Sequence, residues 1–159
     1  MSEQANNARQ VLLQKIYVKD ASLEVPLAPD VFTRQWQPQV DVQVNTEMKP
    51  LAADNVQVML SVTVTAKLGS DVAFLAEVHQ AGVFLVRGFD DATERQALLG
   101  AYCPGLLFPF AREAVADLVQ RGGFPQLLLQ PINFDALYLE HLNRNRSQAQ
   151  TDGAAAVAH

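Results

Sequence analysis

The hydrophobic period of this chain changes once, near Gly88, and that change restricts the folds open to it. Before it, apolar residues alternate. Val40-Asp-Val-Gln-Val-Asn45 sets valines on one side and polar residues on the other, the pattern of a strand with one buried face. Residues 56–67 repeat it over a longer run, rich in the valine and threonine that suit a pleated surface. Gly69-Ser70-Asp71 then supplies a hairpin turn into a fourth run over residues 72–81. The first run, residues 10–19, differs. Val11, Leu13 and Tyr17 share one parity while Leu12, Ile16 and Val18 share the other, which predicts a strand covered on both sides. Sequential strands usually neighbour each other, so the four are expected in meander order.

Beyond Gly88 the pattern is helical. Asp91-Ala-Thr-Glu94 has the form of a capping box with aspartate as N-cap. The helix it opens enters an apolar stretch, residues 99–113, that carries Pro104 and Pro109. A proline in a helix interior lacks the backbone donor and crowds the carbonyl four residues back, at a cost of roughly 3 kcal/mol. Those carbonyls belong to Gly100 and Gly105, pliable residues that predict a planned break. A broken apolar helix suits packing against another subunit or bordering a groove. Ala111, Ala114, Val115, Leu118 and Val119 then recur at helical spacing, with Asp117 and Arg121 paired at i,i+4 and Gly122-Gly123 as the C-cap. After an extended connector over residues 124–132, Asn133 caps a last helix through about Arg144, with Phe134, Leu137, Tyr138 and Leu142 on one face. Strands first and helices second read as α+β: a four-stranded antiparallel meander sheet with a broken long helix and a C-terminal helix packed on one face. Residues 10–146 form the domain, between a disordered N-terminus (1–9) and a disordered tail (147–159).

At 159 residues the chain is one domain. Its net charge of −5 and singly scattered basic residues argue against nucleic acid and fit a partner with a basic face. The single cysteine, Cys103, forms no internal disulfide and fits a reducing compartment. The polar start lacks a signal-peptide pattern and no apolar run is long enough to span a bilayer, so a cytoplasmic protein without membrane insertion is expected. No phosphate-binding glycine loop and no nucleophile elbow occur. His79, His141 and His159 lack metal-ligand spacing, and Glu140-His141 runs on into Leu-Asn-Arg rather than a zinc motif. Helix capping accounts for Asp90, Asp91 and Glu94, and Cys103 sits in apolar surroundings that suppress its reactivity. The expectation is a binding protein with no catalytic residue, metal or cofactor.

Two features read as surfaces. Along the fourth strand Leu75, Glu77 and His79 point one way and Phe74, Ala76, Val78 and Gln80 the other. The second set suits the helix-covered side. The first leaves an acidic, partly apolar outer face, either solvated or a docking surface, to which Asp20 and Glu24 add if the first and fourth strands are neighbours. Aromatics gather outside regular elements or at helix breaks: Phe32, Trp36, Phe84, Phe108, Phe110 and Phe124. Core packing or a groove for apolar segments both account for them.

From about Val11 to Leu142 the chain resembles the SecB family of bacterial protein-export chaperones. The resemblance is carried by Gln14-Lys-Ile-Tyr-Val-Lys-Asp20, Trp36-Gln-Pro38, Val62-Thr-Val-Thr-Ala66, Gly100-Ala-Tyr-Cys-Pro104, Leu107-Phe-Pro-Phe-Ala-Arg-Glu113, Phe124-Pro-Gln-Leu127 and Pro131-Ile-Asn-Phe-Asp-Ala-Leu137. It implies an α+β subunit in a homotetramer, a dimer of dimers. It also implies ATP-independent holding of unfolded preproteins and their delivery to the motor ATPase SecA. By resemblance, Asp20, Glu24, Leu75 and Glu77 contact SecA. Ala76, Val78 and Gln80 match positions tied to the oligomer interface, and Trp36, Phe74, Phe110 and Tyr138 match the lining of the client groove. The family's C-terminal extension also touches the zinc-binding end of SecA, but residues 151–159 carry no such motif. SecB-like proteins dedicated to a toxin–antitoxin partner are the rival reading, against which the full set of SecA-contact residues favours general export.

Overall fold

The computed structural model describes residues 8–157. One antiparallel sheet contains β1 (Gln10–Glu24), β2 (Gln39–Pro50), β3 (Asn55–Leu68) and β4 (Asp71–Arg87), in the order β1-β4-β3-β2. β2, β3 and β4 succeed one another as the expected meander, turning at Gly69, whose φ of 63° glycine tolerates. β1 does not: it lies beside β4, not β2. The connection over residues 25–38 holds three prolines and a 3₁₀ turn, Asp30–Thr33, and is long enough to carry the chain across the sheet. The result is a Greek-key arrangement.

β1 also corrects the reading of its apolar residues. Its register with β4 shifts between Leu13 and Lys15 and again between Val18 and Asp20. Each extra residue flips the parity of the residues C-terminal to it. Val11, Leu13, Ile16, Val18 and Leu23 thereby all fall opposite inward-facing positions of β4. Two parities in sequence become largely one face in space. That face is not fully covered, for Leu13 and Val18 stay exposed on this edge strand.

The helices pack on this same side of the sheet. Asp91 caps α1 (Ala92–Ala97) by accepting from the Thr93 N–H at 2.9 Å. The reciprocal half of a capping box is absent, because the Glu94 carboxylate pairs with Arg9 instead. A π-helical turn, Leu98–Tyr102, leads into α2 (Cys103–Arg121). In that turn the Cys103 N–H bonds to Leu98 O, and the wider turn absorbs the bond that Pro104 cannot donate to Gly100. The expected break is therefore a bulge in a continuous helix, and Pro109 sits inside α2 without interrupting it. Leu107, Ala111, Val115 and Val119 of α2 are fully buried with Val58, Leu60, Val62 and Val64 of β3 and Phe84 of β4. Gly82 lets this helix approach closely, since a Cβ there would meet Leu107 at 3.0 Å.

Gly122 and Gly123 end α2 as expected, the latter at φ 87°. α3 (Phe134–Val157) begins where Asn133 accepts from the Ala136 N–H at 3.0 Å. It packs Phe134 edge-on against Phe108 at 5.7 Å. The helix runs on through Val157, which corrects the expectation of a disordered tail from residue 147. The alanine and glutamine of this segment favour a helix although residues 147–155 are exposed all round. Residues 1–7 of the expected disordered N-terminus, and residues 158 and 159 of the tail, lie outside the described residues. Arg9, by contrast, is anchored over the Phe89 ring at 5.5 Å.

Candidate functional site

Two surfaces stand out, one on each side of the sheet. On the helical side α2 lies over β4 and β3 and leaves β2 open. Val40 and Val42 point toward the helices yet are 42% and 40% exposed. They floor an apolar cavity of about 450 Å³, walled by residues 127–132 and by Leu137 of α3. A second cavity of about 240 Å³ shares Val44 and Leu137 with it and runs on past Met48, Gly100 and Tyr138 to Glu140 and Arg144. Together they form a groove along β2, apolar at one end and charged at the other.

The structure separates the four residues expected to line a client groove. Trp36 stacks on Phe74 at 6.3 Å, and Phe124 meets both rings at 5.0 Å. Phe74 itself is buried, so it supports Trp36 from below and presents no surface. Phe32 caps this cluster from its place 5.3 Å from Phe124 and is half exposed. Tyr138 lines the charged end of the groove and covers Gly100, where a Cβ would meet its ring at 2.6 Å. Phe110 stands exposed on α2, and none of the aromatic contacts among the described residues includes it. Phe108, in contrast, is buried against Phe134 of its own chain.

On the outer side β1 and β4 bring the expected docking residues together. Glu24 lies opposite Leu75, Ser22 opposite Glu77 and Asp20 opposite His79. Asp20 and Glu24 belong to β1 itself rather than to a segment beyond it, because the strand continues to Glu24. The His79 Nε2 lies 2.8 Å from Glu77 Oε1. Ala76 and Val78 are fully buried and Gln80 is 2% exposed, all on the opposite side of β4 under the helices. Gln80 Nε2 donates to the Tyr17 carbonyl at 3.2 Å, tying β4 to β1 at the second bulge. All three side chains are enclosed within their own chain.

The SecB family, described as preprotein translocase subunit SecB, matches residues 4–145. The chain belongs to the SecB family. It is 51% identical to the protein-export protein SecB of Nitrosococcus oceani over 99% of this chain and 94% of that protein. It is 46% identical to that of Stutzerimonas stutzeri over the full length of both. Among solved structures, a SecB-like chaperone of Mycobacterium tuberculosis in complex with a ChAD peptide from the HigA1 antitoxin aligns with a TM-score of 0.65. It covers 77% of this chain and 90% of that one at 20% identity, a likeness of fold. The protein is a protein-export chaperone, and the relatives' names do not favour the toxin–antitoxin reading.

Membership of the SecB family gives the other features their weight. Among the described residues no helix is long and apolar enough to cross a membrane. Burial pushes the Cys103 thiol up to about 12, so it stays protonated and serves as packing. Sequence reasoning missed the open valines of β2 and the leucines of the connector. Alternation shows which residues share a face but not whether anything covers them. The one available signal was the apolar run Leu127-Leu-Leu129 held between Pro125 and Pro131, too rigidly placed to fold back as a helix.

Proposed function

We propose that this chain is an ATP-independent holdase of the bacterial cytoplasm, which keeps unfolded preproteins extended and hands them to SecA. The open apolar groove along β2 carries the reading. An extended client segment laid over Val40, Val42 and Leu128 removes exposed side chains from water, at about 25 cal/mol per Å² of apolar surface. Such contacts are non-directional and tolerate many sequences. Several copies of the groove on one assembly would add avidity through a single long client. The exposed apolar edge of β1, with Leu12, Leu13 and Val18, supports assembly with further copies into a homotetramer, because an unpaired apolar edge calls for cover. Asp20, Glu24, Leu75 and Glu77 form the acidic outer surface on which a basic face of SecA would dock. Release then needs no hydrolysis by this protein; docking of SecA on the acidic face must supply the free energy.

A refolding assay tests the holdase. Stoichiometric chaperone without nucleotide should delay the folding of a slow-folding preprotein; unchanged folding kinetics would refute it. Glu77→Lys should weaken SecA binding and spare client capture, whereas equal loss of both would mean misassembly and not a docking contact.

A further inference from the structure

We propose that His79 is a positioning residue of the docking face, holding the Glu77 carboxylate in the conformation that a basic partner meets. This rests on the proposed docking of SecA at Glu77. Residues two apart on a strand point to the same side, so His79 and Glu77 stand together on the outer side of β4. The His79 Nε2 lies 2.8 Å from Glu77 Oε1. An ionised carboxylate only accepts, so the ring nitrogen donates. One oxygen of Glu77 is thereby engaged and Oε2 remains for a partner's cation. His79 lies on a central strand, with Asp20 of β1 as its register partner on one side and Ser61 of β3 on the other. Its side chain is 27% exposed against 42% for Glu77, so the histidine is the more enclosed of the two.

The arrangement matters because a free glutamate has several rotamers to lose on binding. Fixing one such side chain beforehand improves affinity by roughly three- to tenfold. His79 need not touch the partner to have this effect. The required chemistry is a neutral hydrogen-bond donor at the right distance, which glutamine also supplies and alanine does not.

The test measures the affinity of the full-length chaperone for SecA from the same organism in five forms: wild type, His79→Ala, His79→Gln, Glu77→Gln and the His79→Ala/Glu77→Gln double variant. His79→Ala is expected to lose about three- to tenfold in affinity. His79→Gln should stay within about twofold of wild type, and His79→Ala should add less than about twofold once Glu77 is already glutamine. Client capture should be unchanged in every form. Equal weakness of the alanine and glutamine variants, no loss in the alanine variant, or additive losses in the double variant would overturn the inference. If the wild type does not bind SecA, or binds it equally well as Glu77→Lys, the docking reading itself fails.

Discussion

Val40, Val42 and Met48 along β2 and Leu13 and Val18 along β1 are exposed on the same side of one sheet, at its two opposite edges. Their settings differ. The β2 valines look into a concave groove whose second wall is the chain's own connector, residues 127–132. Leu13 and Val18 line neither cavity of that groove and sit on a strand whose outer backbone edge has no neighbouring strand among the described residues. A concave apolar wall accepts side chains of varied shape. A flat strand edge is suited to one thing, another strand with matching backbone groups. Equal exposure at two edges need not mean equal use, because a concave wall and a flat strand edge favour different kinds of partner.

The β1 edge is expected to respond most strongly to substitution. Leu13→Asp/Val18→Asp removes two side chains from a contact worth about 1.5–3 kcal/mol each. Assembly should weaken by roughly 10²- to 10⁴-fold, read as a fall in mass by light scattering across a dilution series. Far-UV circular dichroism should stay unchanged, because both residues are exposed in the single chain. An unaltered mass would show that β1 is not the contact. Val40→Asp/Val42→Asp attacks the other edge. Holding of an unfolded preprotein should weaken by about 10- to 100-fold with the mass unchanged, since two charges would replace the apolar floor. If the first pair abolishes holding and the second abolishes assembly, the roles of the two edges are reversed.

The same two edges mark how much was legible in the sequence. Strand identity was, because alternation depends only on the residue and its parity. The faces of β4 came with it, Leu75 and Glu77 outward and Ala76 and Val78 buried. β1 resisted because its two bulges reverse parity without leaving a mark such as glycine at the site. Its place beside β4 resisted too, since strand order depends on how a long connection crosses the sheet. The Pro104 region was half legible. The conflict at Gly100 was real, but a π-helical turn resolves it within the helix where a break was expected. The groove was least legible, because it is built from what α2 fails to cover.

Gly100→Ala probes the wall of the groove. A Cβ there would meet the Tyr138 ring at 2.6 Å, and α3 must shift to relieve it. Overpacking of this kind costs about 1–3 kcal/mol. For a chain of this length that is a fall in Tm of about 2–10 °C by calorimetry. Leu137 lies one residue before Tyr138 and closes both cavities, so client holding should fall by a few fold as well. A lower Tm with unchanged holding would detach α3 from the groove and leave β2 and the connector as its only walls.

Phe110→Ala carries the smallest expected effect and draws the boundary of the β2 edge. Phe110 is 47% exposed on α2, and it lines neither cavity of the groove. Stability should move by no more than about 0.5 kcal/mol, as for other exposed substitutions away from special contacts. Holding should change by less than about twofold if the client keeps to β2 and the connector alone. A clear loss of holding at constant Tm and mass would mean that the client path leaves β2 and continues along α2. The long helix would then be both the cover of the β4 core and a rail for the client, and the contrast between the two edges would give way to a surface that runs from β2 across the helical layer.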